Sequence, residues 1–224
     1  MSGHSLMEFM WTDADTTVLA ETQRVTTWPF FVFMCGSMFC LLTSSVCHLL
    51  TCHSQPIAAL VLRLDYTGIV VMIVTSFFPP VFYVFQCDPA LSWFYLTTIS
   101  IMGIATLGVL LAPAFQTGAY RSLRVLLFMA MGLSGFIPVI HGILRNWGDH
   151  LLLVTMGVEM GMAICYMLGA FIYVARVPER WRPGSFDLGG HSHNIFHVMV
   201  LGAAIFHYKA ALLFLEWRRS KTCM

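Results

Sequence analysis

Charge is what this sequence has least of. Of its 224 residues, 12 are Lys or Arg and 11 are Asp or Glu, so charged residues make up 10% of the chain. Ordinary soluble domains carry about 25%. A formal net charge of +1, with no basic stripe interleaved with aromatics, excludes a nucleic-acid partner. The seven cysteines form no CxxC pair. That argues against a disulfide scaffold or a thiolate metal site, and leaves the cysteines as small packing residues. Residues 1–27 lack both the basic start and the apolar core of a secretory signal, and they carry Glu8, Asp13 and Asp15.

What fills the space is apolar. Hydrophobic residues reach 58%, and they fall in long runs. A bilayer core about 30 Å thick is crossed by roughly 20 residues of helix. Trp28 to Leu50, Tyr66 to Gln86, Leu91 to Gln116 and Val125 to Leu144 contain no charged residue, and Leu151 to Ala175 holds only Glu159. A sixth run, Ile195 to Leu215, is interrupted by His197, His207 and Lys209. These runs predict an all-α, polytopic transmembrane helix bundle with six visible spans. In domain terms, residues 1–27 are a non-membrane segment, 28–216 a single bundle domain, and 217–224 a short basic tail. Pro79 and Pro80 in the second span and Pro138 in the fourth remove backbone donors and predict kinks.

Alternating spans sort the loops into two faces. Side one, where the first span begins, collects Arg24, Arg145, Arg218, Arg219 and Lys221. Side two collects Arg63, Arg121, Arg124, Arg176, Arg180 and Arg182. Whole-chain basic counts are balanced, but the inter-span loops favour side two as cytosolic.

Alternation also gathers the unusual polar residues. His48 ends the first span in SSVCHLLTCHS, Asp65 begins the second in RLDYTGI, and His193 and His197 open the sixth in GGHSHNIFH. All four fall at side two. Residues four apart share a helix face, about 5–6 Å between side-chain bases, so His193 and His197 are spaced to share one metal ion. His48 would add a third nitrogen, leaving a fourth position open as in catalytic zinc sites. Zinc suits imidazole ligands best, with iron, nickel and copper still open. His191 lies roughly 200° around the helix from His193, and His53 lies beyond the apolar run; both read as interfacial polar residues. Glu159, about 12 Å into its span, needs a partner or a proton, and His141 is one candidate. A transporter would need a second half-repeat, and a histidine-rich di-iron oxygenase would need further His boxes; the sequence has neither.

SSVCHLLTCHS, RLDYTGI and VPERWRPGSFDLGGHSHNIFH resemble the signature blocks of the progestin and adipoQ receptor family, which includes adiponectin receptors and haemolysin-III-like proteins. Trp181, the GGHSH run and the closing HYKAALLFLEWRR are most similar to the plant heptahelical transmembrane proteins of that family. The resemblance covers roughly Trp28 to Arg219. It implies a Zn2+ site of His48, His193 and His197 near the cytosolic face, Asp65 beside the metal's water, and Ser44 near a substrate carbonyl. It further implies seven helices, of which this chain shows all but the first. By motif similarity to alkaline ceramidases it implies hydrolysis of a ceramide-like membrane lipid amide. The alternative it implies is a signalling receptor for a hormone or stress ligand with a purely structural zinc, and loss of the first helix leaves a non-functional relative as a further alternative. Asn194 stands where many relatives carry Gln.

Overall fold

The computed structural model describes residues 25–115, 118–221 and 223. Arg24 and most of the 1–27 segment lie outside the described residues. Eight α-helices follow in order: α1 (Trp28–Leu50), α2 (Gln55–Ser76), α3 (Phe78–Val84), α4 (Pro89–Leu111), α5 (Arg121–Ser134), α6 (Phe136–Arg145), α7 (His150–Ala175) and α8 (Ser192–Arg219). No strand occurs among the described residues.

α2 with α3, and α5 with α6, each make one kinked crossing, so the helices form six membrane-spanning units. The chain is a multi-pass integral membrane protein. Both kinks fall where the prolines predict them. α2 ends beside Phe77, and Pro79 and Pro80 occupy the first turn of α3, where a missing N–H costs least. α5 ends at Gly135, with Pro138 in the first turn of α6. The second and sixth spans begin earlier than their uncharged runs, at Gln55 and Ser192. Arg63, Asp65 and His193 are polar residues inside helices and so hide those starts. α8 continues to Arg219.

Outward faces are apolar and exposed, as lipid requires: Leu49, Ile104, Phe171 and Val198 project from four different helices. Trp147 and Trp181 stand in the loops at opposite ends, the usual depth for interfacial aromatics. α1 packs along α2, and α7 along α8. The first contact is close because two positions lack side chains. A Cβ at Gly36 would lie 2.0 Å from Thr75 Oγ1, and one at Gly68 would lie 2.4 Å from Thr43 Oγ1 and 3.0 Å from Cys40 Cα. Small residues let helix backbones approach where lipid supplies no hydrophobic drive.

The dense core gathers toward side one, around Val81, Tyr83, Phe85, Leu152, Phe214 and Trp217. That end is also tied by polar and covalent links. Asp88 and Asp149 cap α4 and α7 by accepting hydrogen bonds from the amides of Leu91 and Leu152. The same carboxylates pair with Arg145 at 3.1 Å and Lys221 at 2.7 Å. Cys87 and Cys223, expected to pack as thiols, are joined in a disulfide instead. Alternation of spans places both at side one, after α3 and after α8, and spacing in sequence gives no hint of that meeting. Cys35, Cys40, Cys47, Cys52 and Cys165 are free.

Candidate metal centre

Two helix ends build the site. His48 lies in the last turn of α1, and His193 and His197 lie one turn apart at the start of α8. Their Nε2 atoms form a small triangle: 3.1 Å from His48 to His197, 3.3 Å from His48 to His193, and 2.9 Å from His193 to His197. His48 is exposed and the other two half-buried. Metal–nitrogen bonds of about 2.0–2.1 Å in a tetrahedral zinc site separate the nitrogens by about 3.3–3.4 Å. The triangle is therefore of the size that one ion spans. The donor chemistry agrees: a neutral imidazole has one N–H, so three nitrogens aimed at a common point leave lone pairs facing one another, which a cation resolves. Among the described residues this is the one group of three metal-ligating side chains.

The start of α8 is held by a residue that spacing alone did not single out. Glu179, in the loop after α7, accepts hydrogen bonds from the Ser192 amide at 2.8 Å and from the Ser192 hydroxyl. It thus satisfies an orphan N–H at the helix start with a negative charge, where the helix dipole favours one. Slight burial pushes its carboxyl up, but the Ser192 donors outweigh that and hold it below the usual range. The signal was present as an acid in the VPERW stretch, but only the fold shows which helix it caps.

Asp65 on α2 is buried, with Ser44 as its hydrogen-bond partner and the His48 and His197 rings nearby. Ser44 precedes His48 by one turn on α1, so both face the same way. Asp65, Ser44, His193 and His197 all line one cavity of about 300 Å³ that runs on between the helices. Tyr173 packs edge-on against the His193 ring, with centroids 5.4 Å apart.

The remaining candidates fall elsewhere. His191 and His53 are outside the triangle. Glu159 does not meet His141. Its partner is His207 of α8, whose Nδ1 lies 2.9 Å from the carboxylate. His141 instead shares a hydrogen bond with Tyr95 Oη at 2.9 Å. The reason is depth: His141 is one turn from the end of its span, whereas Glu159 and His207 sit well inside adjacent antiparallel helices.

Residues 5–208 match the family model described as haemolysin-III related. Heptahelical transmembrane protein 1 of Arabidopsis thaliana is 54% identical over 200 residues, covering 89% of this chain and 60% of that protein. This chain belongs to the haemolysin-III-related family, the progestin and adipoQ receptor family. Other members of the family match as well. Heptahelical transmembrane protein ADIPOR3 of Oryza sativa subsp. japonica is 46% identical over 98% of this chain and 55% of its own length. The adiponectin receptor protein of Drosophila melanogaster is 43% identical over 80% of this chain and 40% of its own. The chain thus spans about half the length of these family members.

Proposed function

We propose that the chain is a zinc-dependent intramembrane hydrolase of a ceramide-like lipid amide. The observation that carries this reading is the triangle of three Nε2 atoms within 3.3 Å at one end of a cavity that also holds Asp65 and Ser44.

Zinc bound by the three imidazoles would polarise the amide carbonyl and lower the pKa of a water from 15.7 to about 7. Asp65, oriented by Ser44, takes the proton that the attacking water gives up and returns it to the leaving amine. The Ser44 hydroxyl turns to the carbonyl oxygen as charge develops there. The wall of Ile69, Met72, Ala163 and Val200 holds the acyl chain and keeps bulk water out.

Sidedness supports a cytosolic site. Disulfides persist in oxidising compartments and are rare in the cytosol, so Cys87–Cys223 supports reading side one as non-cytosolic, with the histidine end facing inward. The excess of basic residues in side-two loops agrees.

A signalling receptor is the second reading, favoured by the adiponectin receptor at 43% identity. In it, zinc only fastens α1 to α8, and a hormone or stress ligand shifts their packing. The two readings part at Asp65, which hydrolysis needs and a structural zinc does not. Detergent-purified protein is expected to carry about one zinc per chain, lost in His193→Ala/His197→Ala. Asp65→Ala should keep zinc and lose ceramide hydrolysis by about a hundredfold or more. Zinc without hydrolysis in the unmodified chain would leave the receptor reading; no zinc in a folded sample would sink both.

A further inference from the structure

The loop between α7 and α8 carries charge that the metal site does not use. Arg176, Arg180 and Arg182 stand there against Glu179 and Asp187, and Glu179 is committed to Ser192. The three arginines are exposed, and none pairs with a carboxylate among the described residues. In the middle of the loop the sequence dictates a turn. Pro183 presets the backbone at the second turn position, and Gly184, at φ 85°, takes the left-handed third position. The Ser185 amide closes the turn by donating to the Arg182 carbonyl at 3.2 Å. That is the only backbone hydrogen bond made by residues 182–190 among the described residues. Ser185 itself is exposed, and its hydroxyl has no hydrogen-bond partner among the described residues. It lies well along the chain from both tied points of the loop, Glu179 and Ser192.

The spacing of the arginines gives this serine a chemistry. Arg182 lies three residues before it, Arg180 five before, and Phe186 directly after. Arginine-directed protein kinases recognise such a pattern, because carboxylates in their peptide groove take guanidinium groups three and five residues before the acceptor hydroxyl. A kinase holds that segment extended, and here a single hydrogen bond has to open. An arginine three residues before a hydroxyl also occurs at Arg24–Thr27 and at Arg219–Thr222. Both of those stand at side one, away from cytosolic ATP, and neither has a second arginine five residues before.

Resting on the sidedness read from Cys87–Cys223, we infer that Ser185 is a phosphorylation site for an arginine-directed kinase acting from the cytosol. The Ser185 Oγ bonds to the γ-phosphorus of ATP as the bond from that phosphorus to the β–γ bridging oxygen breaks. ADP leaves, and the hydroxyl proton passes to the kinase's catalytic aspartate. The ends of a β-turn lie within about 7 Å of each other, so the phosphate arrives beside the Arg182 guanidinium, which can take two of its oxygens. The loop's charges stand at three positive against two negative, and a phosphate of about −1.5 to −2 reverses that balance.

The test uses sealed microsomes from cells expressing the full chain, cytosolic face outward. ATP is added with an arginine-directed kinase chosen because it labels the free peptide of residues 176–191. The expected result is about one phosphate per chain, located at Ser185 by peptide mass and absent in Ser185→Ala. Labelling should fall about tenfold or more in Arg180→Ala/Arg182→Ala, as when one side of a charge pair is removed from an interface. Equal labelling of that variant, or phosphate on another residue, would overturn the site. So would no labelling before or after detergent opens the vesicles, since the kinase accepts the free peptide. Labelling that appears only after detergent would overturn the site and the sidedness together. Trypsin added to the same sealed microsomes, cutting after Arg180, reports the sidedness without the kinase and so keeps the two failures apart.

Discussion

On side one the bundle is closed by a disulfide between Cys87 and Cys223, by two aspartates that cap helices while pairing with Arg145 and Lys221, and by α3, which packs on both α1 and α8. Tyr83 of α3 also donates a hydrogen bond to the Thr26 carbonyl at 3.1 Å. On side two the same two helices, α1 and α8, meet at three imidazoles whose nitrogens point at one another. One end is therefore fastened by the chain's own bonds. The other is arranged so that an added ion would do the fastening. The contrast matches the division of labour proposed above, because a site that must admit a lipid cannot be packed shut, whereas the opposite end can.

The disulfide provides the strongest way to break that contrast. Its cysteines are separated by 136 residues. A loop of that length removes about 5 kcal/mol of unfolded-chain entropy at 25 °C. Spans that stay in the membrane when unfolded are already restricted, so this is an upper bound. Cys87→Ser/Cys223→Ser should lower the denaturation midpoint in detergent by more than any single change at the metal end, with zinc content unchanged. Loss of zinc in that variant would show that the two ends are one cooperative unit.

Both ends were unequally legible in the sequence. The meeting of the histidines could be read because its rules are local: a four-residue spacing puts His193 and His197 on one face, and alternation brings His48 and Asp65 to the same side. Four spans were plain as uncharged runs, and the fifth and sixth stood out despite Glu159 and Lys209, since apolar runs of that length have few other uses. The side-one links could not be read, because nothing in a helix pattern says that residue 87 meets residue 223. Glu159 shows the intermediate case. Its need for a partner was clear, but His141 was matched to it by side rather than by depth. Measuring both residues from the side-one ends of α7 and α8 would have favoured His207.

A smaller effect should separate helix packing from ligand chemistry. Gly68 lies one turn from Asp65 on α2, pressed against Cys40 and Thr43 of α1. Gly68→Leu forces α1 and α2 apart at a cost of about 1–3 kcal/mol, typical of overpacking, and displaces His48 relative to Asp65. The expected readout is weaker zinc retention against a chelator, with the disulfide intact. Gly132→Ala is the control, since a Cβ there meets nothing within 4 Å. Equal zinc retention in both would mean that the triangle is set by α8 alone and that His48 adapts.

The smallest effect concerns acid. Burial pushes the Asp149 carboxyl up, but hydrogen bonds from Lys221 and the Leu152 amide outweigh it and hold the pKa at about 2, against 3.8 ordinarily. A carboxylate whose folded pKa is depressed stabilises the fold at every pH above its unfolded value. The contribution is lost as pH falls from about 4 through about 2, where the folded form takes up its proton. Lys221 is half exposed, so solvent screens the pair and the loss is modest. Midpoints measured across that window should show a shallow decline that Asp149→Asn removes. The decline should persist in Cys87→Ser/Cys223→Ser if the ion pair closes side one independently of the disulfide. Its disappearance there would mean that the disulfide is what carries Lys221 to Asp149.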